Sequence, residues 1–157
     1  MFSIENPYMN TKENRIDPGK LRSIQRVTTP DGFFLICALD HLSDFQELLD
    51  PDPKTVDHQR TGDAKIELIR SLASECSAFL LDARFGLAQA IASRALPGSV
   101  GLMASIEDED YQPTTVHRKS RFRENWSIRQ IKFLGVDVCK LLWFIGRTAK
   151  LPSISVR

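Results

Sequence analysis

Four mainly apolar runs are distributed along the chain and are separated by polar segments. They cover residues 33–39, 78–81, 100–106 and 136–145. Short runs with apolar residues at successive positions are typical of strands that are buried on both faces, as in a parallel sheet. The pattern therefore predicts four buried strands.

The apolar positions between these runs recur with helical spacing. Helices are predicted to begin after Asp17, Asp63 and Asn125, whose side chains can accept hydrogen bonds from free amide groups of the first turn. A further helix is expected over residues 87–95, and a polar loop is expected around residues 50–53. The resulting order βαβαβαβ implies an α/β fold with right-handed crossovers and a parallel sheet.

Composition limits the class of protein further. The chain has 157 residues, of which 42% are hydrophobic and 26% charged, enough for one globular domain. A net charge of +1 indicates neither a nucleic-acid nor a membrane partner. No apolar run reaches the roughly 20 residues of a membrane span. Residues 1–14 are polar and lack the apolar core of a signal peptide, which predicts a cytoplasmic location.

Cysteine and histidine positions do not predict a metal site. Cys37, Cys76 and Cys139 are widely spaced and form no CxxC pair, so they are expected to be reduced thiols. The two that lie within apolar runs, Cys37 and Cys139, are expected to pack as small apolar groups. The three histidines are also far apart in sequence. The chain contains no HExxH, Walker A, GxGxxG or GxSxG motif. No metal and no cofactor are therefore predicted.

Acidic residues follow three of the four apolar runs. Asp40, Asp82 and Glu107 each come just after a predicted strand. Parallel α/β folds bind ligands at the carboxyl ends of their strands, so three acids at this level predict a polar site there. An aspartate after a strand can equally cap a helix or form a turn, and both interpretations stay open for each residue.

Lys140 interrupts the fourth apolar run. The alternation of a strand places it on the same face as Val138 and Leu142. A lysine on an apolar face is costly unless it is paired or functional, although a lysine at a strand end can also extend its amine into solvent. Burial would favour imine chemistry, whereas a neighbouring carboxylate would keep the amine charged and favour phosphate binding.

A basic stretch precedes the last predicted helix. It contains Arg118, Lys119, Arg121 and Arg123, close to Trp126. Such a run is usually a solvated loop, but the acids and the lysine at the strand ends favour a phosphate contact.

These residues resemble the tagatose-1,6-bisphosphate aldolase family and the related sulfofructose-phosphate aldolases. The resemblance runs from about Leu21 to Ile145, and its most specific part is the stretch from Asn125 to Leu142. The matching pieces are Ala38-Leu39-Asp40-His41, Leu80 to Leu87, Ile106-Glu107 with Tyr111, Arg118, Asn125-Trp126-Ser127-Ile128, Ile131-Lys132, Gly135-Val136-Asp137 and Lys140-Leu141-Leu142.

The resemblance implies a partial (β/α)8 TIM barrel made of about the first four βα units. It also implies class I chemistry, in which an imine with a lysine allows a ketose bisphosphate to be cleaved to dihydroxyacetone phosphate and an aldehyde phosphate. By motif match, Asp40 and Lys140 are implied as catalytic residues, and Asp82, Glu107 and Arg118 as contacts to the sugar-phosphate substrate. The counterpart of Lys140 supports substrate binding and charge balance rather than forming the imine.

The chain also departs from the family pattern. The imine-forming lysine and the catalytic glutamate of the family lie on later strands, and His41 replaces an expected amide residue. Three segments are predicted: a polar arm over 1–16, the barrel half over 17–145 and a divergent tail over 146–157. A truncated, catalytically impaired aldolase-like protein is expected, and the alternative is a non-catalytic sugar-phosphate-binding or regulatory remnant. Pairing of two copies would cover the free edges of such a half-barrel.

Overall fold

The computed structural model describes residues 16–108 and 120–143. Helices and strands alternate through both ranges. In chain order they are α1 (Pro18–Val27), β1 (Ile36–Leu39), α2 (Ser43–Leu49), a 3-10 turn (Pro53–Thr55), α3 (His58–Leu72), β2 (Ala78–Leu81), α4 (Leu87–Ala92), β3 (Gly101–Ser105), α5 (Ile128–Phe133) and β4 (Val138–Lys140).

The four strands form one parallel sheet in the order β1-β2-β3-β4. Ile36 pairs with Ala78, Ala78 with Gly101, and Met103 with Val138. Each strand therefore lies beside its predecessor, and all the carboxyl ends point to the same edge of the sheet. The predicted α/β fold with a parallel sheet is confirmed.

The first strand is shorter and more exposed than predicted. It begins at Ile36, because the amide of Leu35 donates to the Ser77 hydroxyl (2.9 Å) and the ladder with β2 starts only afterwards. Only Leu39 of β1 is buried, so the prediction of burial on both faces is wrong for this edge strand. It is also wrong for β4, in which none of the three residues is buried. The prediction is confirmed for β2, which has a neighbour on each side and buries all four of its residues.

One predicted helix start is confirmed and two are wrong. Asp17 caps α1 by accepting from the amides of Gly19 and Lys20. The helix expected after Asp63 begins earlier, at His58, where Asp57 accepts from the Arg60 amide at 2.7 Å. This difference arises because Asp57 directly follows an extended segment, whereas Asp63 lies inside the helix.

The last helix and the predicted loop also differ from expectation. Ser127 rather than Asn125 caps α5, since Asn125 occupies a turn with a φ of 54° while the Ser127 hydroxyl accepts from the Gln130 amide. No helix was predicted between the first strand and the loop around residues 50–53, yet α2 forms there and buries Phe45 against the core. The helix predicted over 87–95 ends at Ala92.

The core lies between one face of the sheet and the helices. Phe79 and Leu81 of β2 pack there with Ile66 and Ile69 of α3, and all four side chains are buried. Cys37 and Cys76 pack against the same cluster. Burial and then the neighbouring Cys76 raise the pKa of the Cys37 thiol. Cys37 therefore packs as a small apolar group, as predicted, whereas Cys139 is exposed and the same prediction is wrong for it.

Helix α1 lies against the amino-terminal ends of β3 and β4. Arg26 Nε is 2.9 Å from Asp137 Oδ1, and Asp137 Oδ2 accepts from the Leu102 amide at 3.0 Å. The backbone of α1 approaches Gly101 so closely that a β-carbon there would lie 2.5 Å from the Arg26 carbonyl oxygen. The position requires glycine because of this contact, which joins the helix to the sheet.

Replacing Gly101 with alanine should therefore destabilise the protein. We expect a loss of about 1–3 kcal/mol in the free energy of unfolding, because the new methyl group would force α1 away from β3. Urea denaturation monitored by circular dichroism measures it. Gly98→Ala is the matched control, since a β-carbon at Gly98 meets nothing within 4 Å. Equal losses for the two variants would contradict the close packing at Gly101.

An apolar segment is exposed beside β1, the edge strand of the described sheet. Phe33, Phe34 and Leu35 are 67%, 59% and 51% exposed. Such a segment next to an edge strand favours contact with another polypeptide. Pairing with a second copy of the chain remains a prediction.

Within the residues described, no helix is long and apolar enough to cross a membrane. The cytoplasmic location and the three-segment division remain predictions. The proposed tail and all but the last residue of the proposed arm lie outside the described residues.

Candidate ligand site at the carboxyl edge of the sheet

Three of the predicted site residues meet where the strands end. Asp40 follows β1, Glu107 lies two residues beyond β3, and Lys140 is the last residue of β4. Lys140 Nζ lies 2.6 Å from Asp40 Oδ2 and 3.0 Å from Glu107 Oε1. These three side chains are called the charged cluster below.

Strand register explains why the residues meet. Ser105 of β3 pairs with Lys140 of β4, so their side chains project from the same face of the sheet. The Ser105 hydroxyl donates to Asp40 Oδ2 at 3.2 Å, which is the oxygen that Lys140 also contacts. Ser105 thus joins the end of β1 to the end of β3 across the site, and sequence analysis did not single it out.

The segment that follows Ser120 fixes the end of β3. Phe122 forms an antiparallel bridge with Glu107, and the Trp126 indole Nε1 donates to the Ser105 carbonyl oxygen at 2.8 Å. Trp126 also packs against the core. Because these contacts fix the backbone on both sides of Ile106, they also fix the direction of the Glu107 side chain.

Glu107 is the most enclosed member of the charged cluster. Its side chain is 3% exposed, and in the described parts of the chain neither carboxylate oxygen accepts a hydrogen bond. Among the residues that the structure describes, its charge is balanced by the ion pair with Lys140, whose side chain is 24% exposed. The same carboxylate acts on Cys139, where partial burial and then the charge of Glu107 raise the thiol pKa.

Asp82 lies away from the charged cluster in a separate buried network. Its side chain is 0% exposed, and Oδ2 contacts Lys65 Nζ at 2.5 Å. Asp82 Oδ1 accepts from the amides of Arg84 and Phe85. Both oxygens of this carboxylate are thereby engaged inside the protein, so Asp82 faces the loop that it caps.

Lys65 is the buried residue that sequence analysis missed. It lies on α3, is fully buried, and donates to the carbonyl oxygens of Leu39 and His41 at 2.7 Å each. Its ammonium group is also 5.0 Å from the centre of the Phe45 ring. The signal was available in the sequence, because Lys65 lies four residues before Ile69 and seven before Leu72, on the apolar stripe of this helix.

The other predicted residues are placed differently. His41 stands at the mouth of the site, with Nδ1 3.9 Å from Asp40 Oδ1 and its side chain 52% exposed. Arg118 lies outside the described residues. Within residues 16–108 and 120–143, no three His, Cys, Asp or Glu side chains are arranged to hold a metal ion.

Comparison with known proteins identifies related sequences. Tagatose 1,6-diphosphate aldolase 2 of Enterococcus faecalis is 30% identical over 131 residues, which are 80% of this chain and 37% of the relative. Tagatose 1,6-diphosphate aldolase 1 of the same organism is 29% identical over 130 residues, 83% of this chain and 39% of the relative. The chain is related to the tagatose 1,6-diphosphate aldolases. The Lactococcus lactis aldolase of that name is 26% identical over 129 residues, 80% of this chain and 38% of the relative.

The aldolase relatives are much longer than this chain, which spans less than two fifths of their length. The matched length, 129–131 residues in these relatives, is close to that of the predicted barrel half over 17–145. No protein-family model matches the chain.

Proposed function

We propose that this chain contains the ketose-binding part of a tagatose-bisphosphate-aldolase-like site, and that the charged cluster contacts the sugar. The observation that carries the proposal is the position of Lys140, whose ammonium group lies between two buried carboxylates at the carboxyl edge of a parallel sheet. The relationship to tagatose 1,6-diphosphate aldolases supports a sugar phosphate as the ligand.

The chemistry of the charged cluster suits the hydroxyl and carbonyl groups of a ketose. With both acids ionised, two carboxylates and one ammonium give a net charge of −1, which disfavours a phosphate directly on the cluster. The carboxylate of Glu107 has free acceptor capacity for a sugar hydroxyl, since neither oxygen accepts a hydrogen bond within the described parts of the chain. Lys140 can donate to a ketose oxygen. The phosphate groups would then be bound elsewhere, and Arg118 is proposed for that contact by resemblance.

The resemblance extends the proposal to fold and mechanism. The four parallel βα units would form part of a (β/α)8 barrel, with the cluster at the face where such barrels bind substrate. Asp40 would contact the reacting end of the ketose, and Lys140 would balance charge during cleavage of the imine formed by another lysine. The 157-residue chain is proposed to bind the sugar without cleaving it.

Binding of tagatose 1,6-bisphosphate to the purified chain tests this function. We expect Asp40→Asn and Lys140→Met each to raise the dissociation constant by about 10-fold to 100-fold, because hydrogen bonds to charged groups contribute about 1.5–3 kcal/mol. Isothermal titration calorimetry measures the constants, after circular dichroism has verified that each variant is folded.

Lys132→Met is the matched control, because it removes an exposed lysine of α5. Its dissociation constant should equal that of the unsubstituted chain. Inorganic phosphate should bind to Asp40→Asn with the same dissociation constant as to the unsubstituted chain. If the unsubstituted chain binds no ketose bisphosphate, or if Lys132→Met weakens binding as much as Lys140→Met, the proposed site is wrong.

A further inference from the structure

We propose that Lys65 is a positioning residue, whose buried ammonium group fixes the backbone on both sides of Asp40 and so sets the contact between Asp40 and Lys140. The inference rests on the proposed function, because it assumes that the charged cluster is the ligand site. The motif resemblance does not single out Lys65, and Lys65 is not a member of the charged cluster.

Lys65 contacts the backbone of the residue before Asp40 and of the residue after it. Lys65 Nζ donates to the carbonyl oxygen of Leu39, just before Asp40, and to that of His41, just after it. Both distances are 2.7 Å, as expected for hydrogen bonds from a charged donor. These bonds hold the peptide group that precedes Asp40 and the one that follows His41. They therefore restrict the backbone path through Asp40 and with it the direction in which the Asp40 side chain leaves the chain.

The third contact of Lys65 makes this arrangement rigid. Asp82 Oδ2 lies 2.5 Å from Lys65 Nζ, and Asp82 Oδ1 accepts from the Arg84 and Phe85 amides. All three donors of the Lys65 ammonium group therefore have acceptors. Because Lys65 and Asp82 are both 0% exposed, water cannot replace these acceptors. The end of β1 is thus attached to the end of β2 through one buried cation.

The geometry of the charged cluster depends on this attachment. Asp40 is only 4% exposed and contributes one oxygen, Oδ2, to both Lys140 and Ser105. The bond to Lys140 is 2.6 Å long, so a small rotation of the backbone at Asp40 would break it. Asp40 lies one residue beyond the edge strand β1, where the ladder with β2 has ended at Leu39. Lys65 supplies the constraint that the strand ladder no longer gives at this position.

The test compares two variants that differ only at residue 65. Asp82→Asn retains Lys65, its two backbone acceptors and an amide oxygen in place of the carboxylate, and circular dichroism verifies that this variant is folded before it is compared. Lys65→Met/Asp82→Asn removes the bonds to the backbone and leaves no lone buried charge. The readout is the side-chain resonance of Lys140 in the ligand-free protein, observed with ¹³C,¹⁵N-labelled lysine and assigned with Lys140→Arg. Asp40→Asn provides the reference for loss of the Asp40 contact.

We expect the double variant to move the Lys140 resonance in the same direction as Asp40→Asn, and Asp82→Asn to move it much less. Adding Lys65→Met/Asp82→Asn to Asp40→Asn should give little further shift, because both changes remove the same contact. Ile69→Ala is the control for general destabilisation, since Ile69 is a fully buried residue of the same helix that has no bond to the Asp40 backbone. It should leave the resonance in place.

An unmoved Lys140 resonance in the folded double variant would overturn the proposal, as would an equal shift in Ile69→Ala. Ligand binding gives an independent readout: the double variant should raise the dissociation constant for tagatose 1,6-bisphosphate on the order of tenfold above that of Asp82→Asn. If the unsubstituted chain binds no sugar phosphate, the proposed function fails, whereas the resonance comparison still decides whether Lys65 positions Asp40.

Discussion

Asp82→Ala should unfold far more readily than the unsubstituted chain. The substitution leaves the Lys65 ammonium group buried without its carboxylate and removes the acceptor of the Arg84 and Phe85 amides. Loss of one partner from a fully buried ion pair typically decreases the free energy of unfolding by about 3–5 kcal/mol. Urea denaturation with both fluorescence and circular dichroism measures the change and tests whether unfolding is two-state.

Two further variants test whether the lone buried charge of Lys65 causes this loss of stability. Asp50→Ala breaks the more exposed ion pair with Arg60, so it should change the free energy of unfolding by no more than about 1 kcal/mol. Lys65→Met/Asp82→Ala should recover part of the stability lost in Asp82→Ala, because no lone charge remains in the interior. If Asp82→Ala proves no more destabilising than Asp50→Ala, the buried network does not stabilise the fold as described.

The second large effect concerns catalysis. Incubation of the 157-residue chain with tagatose 1,6-bisphosphate and borohydride should leave the protein mass unchanged, and no triose phosphate should be released. Imine formation requires a neutral amine with a free electron pair. Lys140 instead contacts two carboxylates, at 2.6 Å and 3.0 Å, which stabilise it as an ammonium ion. Lys65 is fully buried and cannot meet the substrate.

Mass spectrometry of the reduced protein and a coupled assay for triose phosphate measure the two outcomes. A class I aldolase treated in parallel shows that the trapping conditions work. A borohydride-stable adduct mapped to Lys140, with triose phosphate release abolished in Lys140→Ala, would contradict the prediction. It would instead assign Lys140 as the nucleophile.

The alternation of strands and helices was predictable because burial determines it locally. A parallel strand with neighbours on both sides buries every residue, so it requires apolar residues at successive positions. The run Ala78–Leu81 has this pattern, and all four of its residues are buried. The edge strand was less predictable, because exposure of Ile36 depends on which strand lies beside it. Helix starts after Asp57 and Ser127 were missed because several residues nearby could serve as caps, and only the path of the chain selects one.

The candidate site was predictable in part. Asp40 and Glu107 could be singled out because each follows an apolar run, and Lys140 because it interrupts one. Their separation from Asp82 could not be read from the sequence, since all three acids occupy the same position relative to their strands. Asp82 differs from the other two acids because it pairs with Lys65 of the preceding helix. Lys65 can contact the strand ends only because of the way in which that helix packs on the sheet.

Fluorescence of the Trp126 indole can report ligand binding at the charged cluster. Its Nε1–H donates to the carbonyl oxygen of Ser105, and the hydroxyl of Ser105 donates to Asp40. The chain has two tryptophans, so Trp143→Phe would leave this indole as the sole tryptophan emitter. A ligand that displaces Asp40 would alter the electric field along the indole and shift its emission. The chain thereby carries an intrinsic optical probe that is linked through Ser105 to its charged cluster.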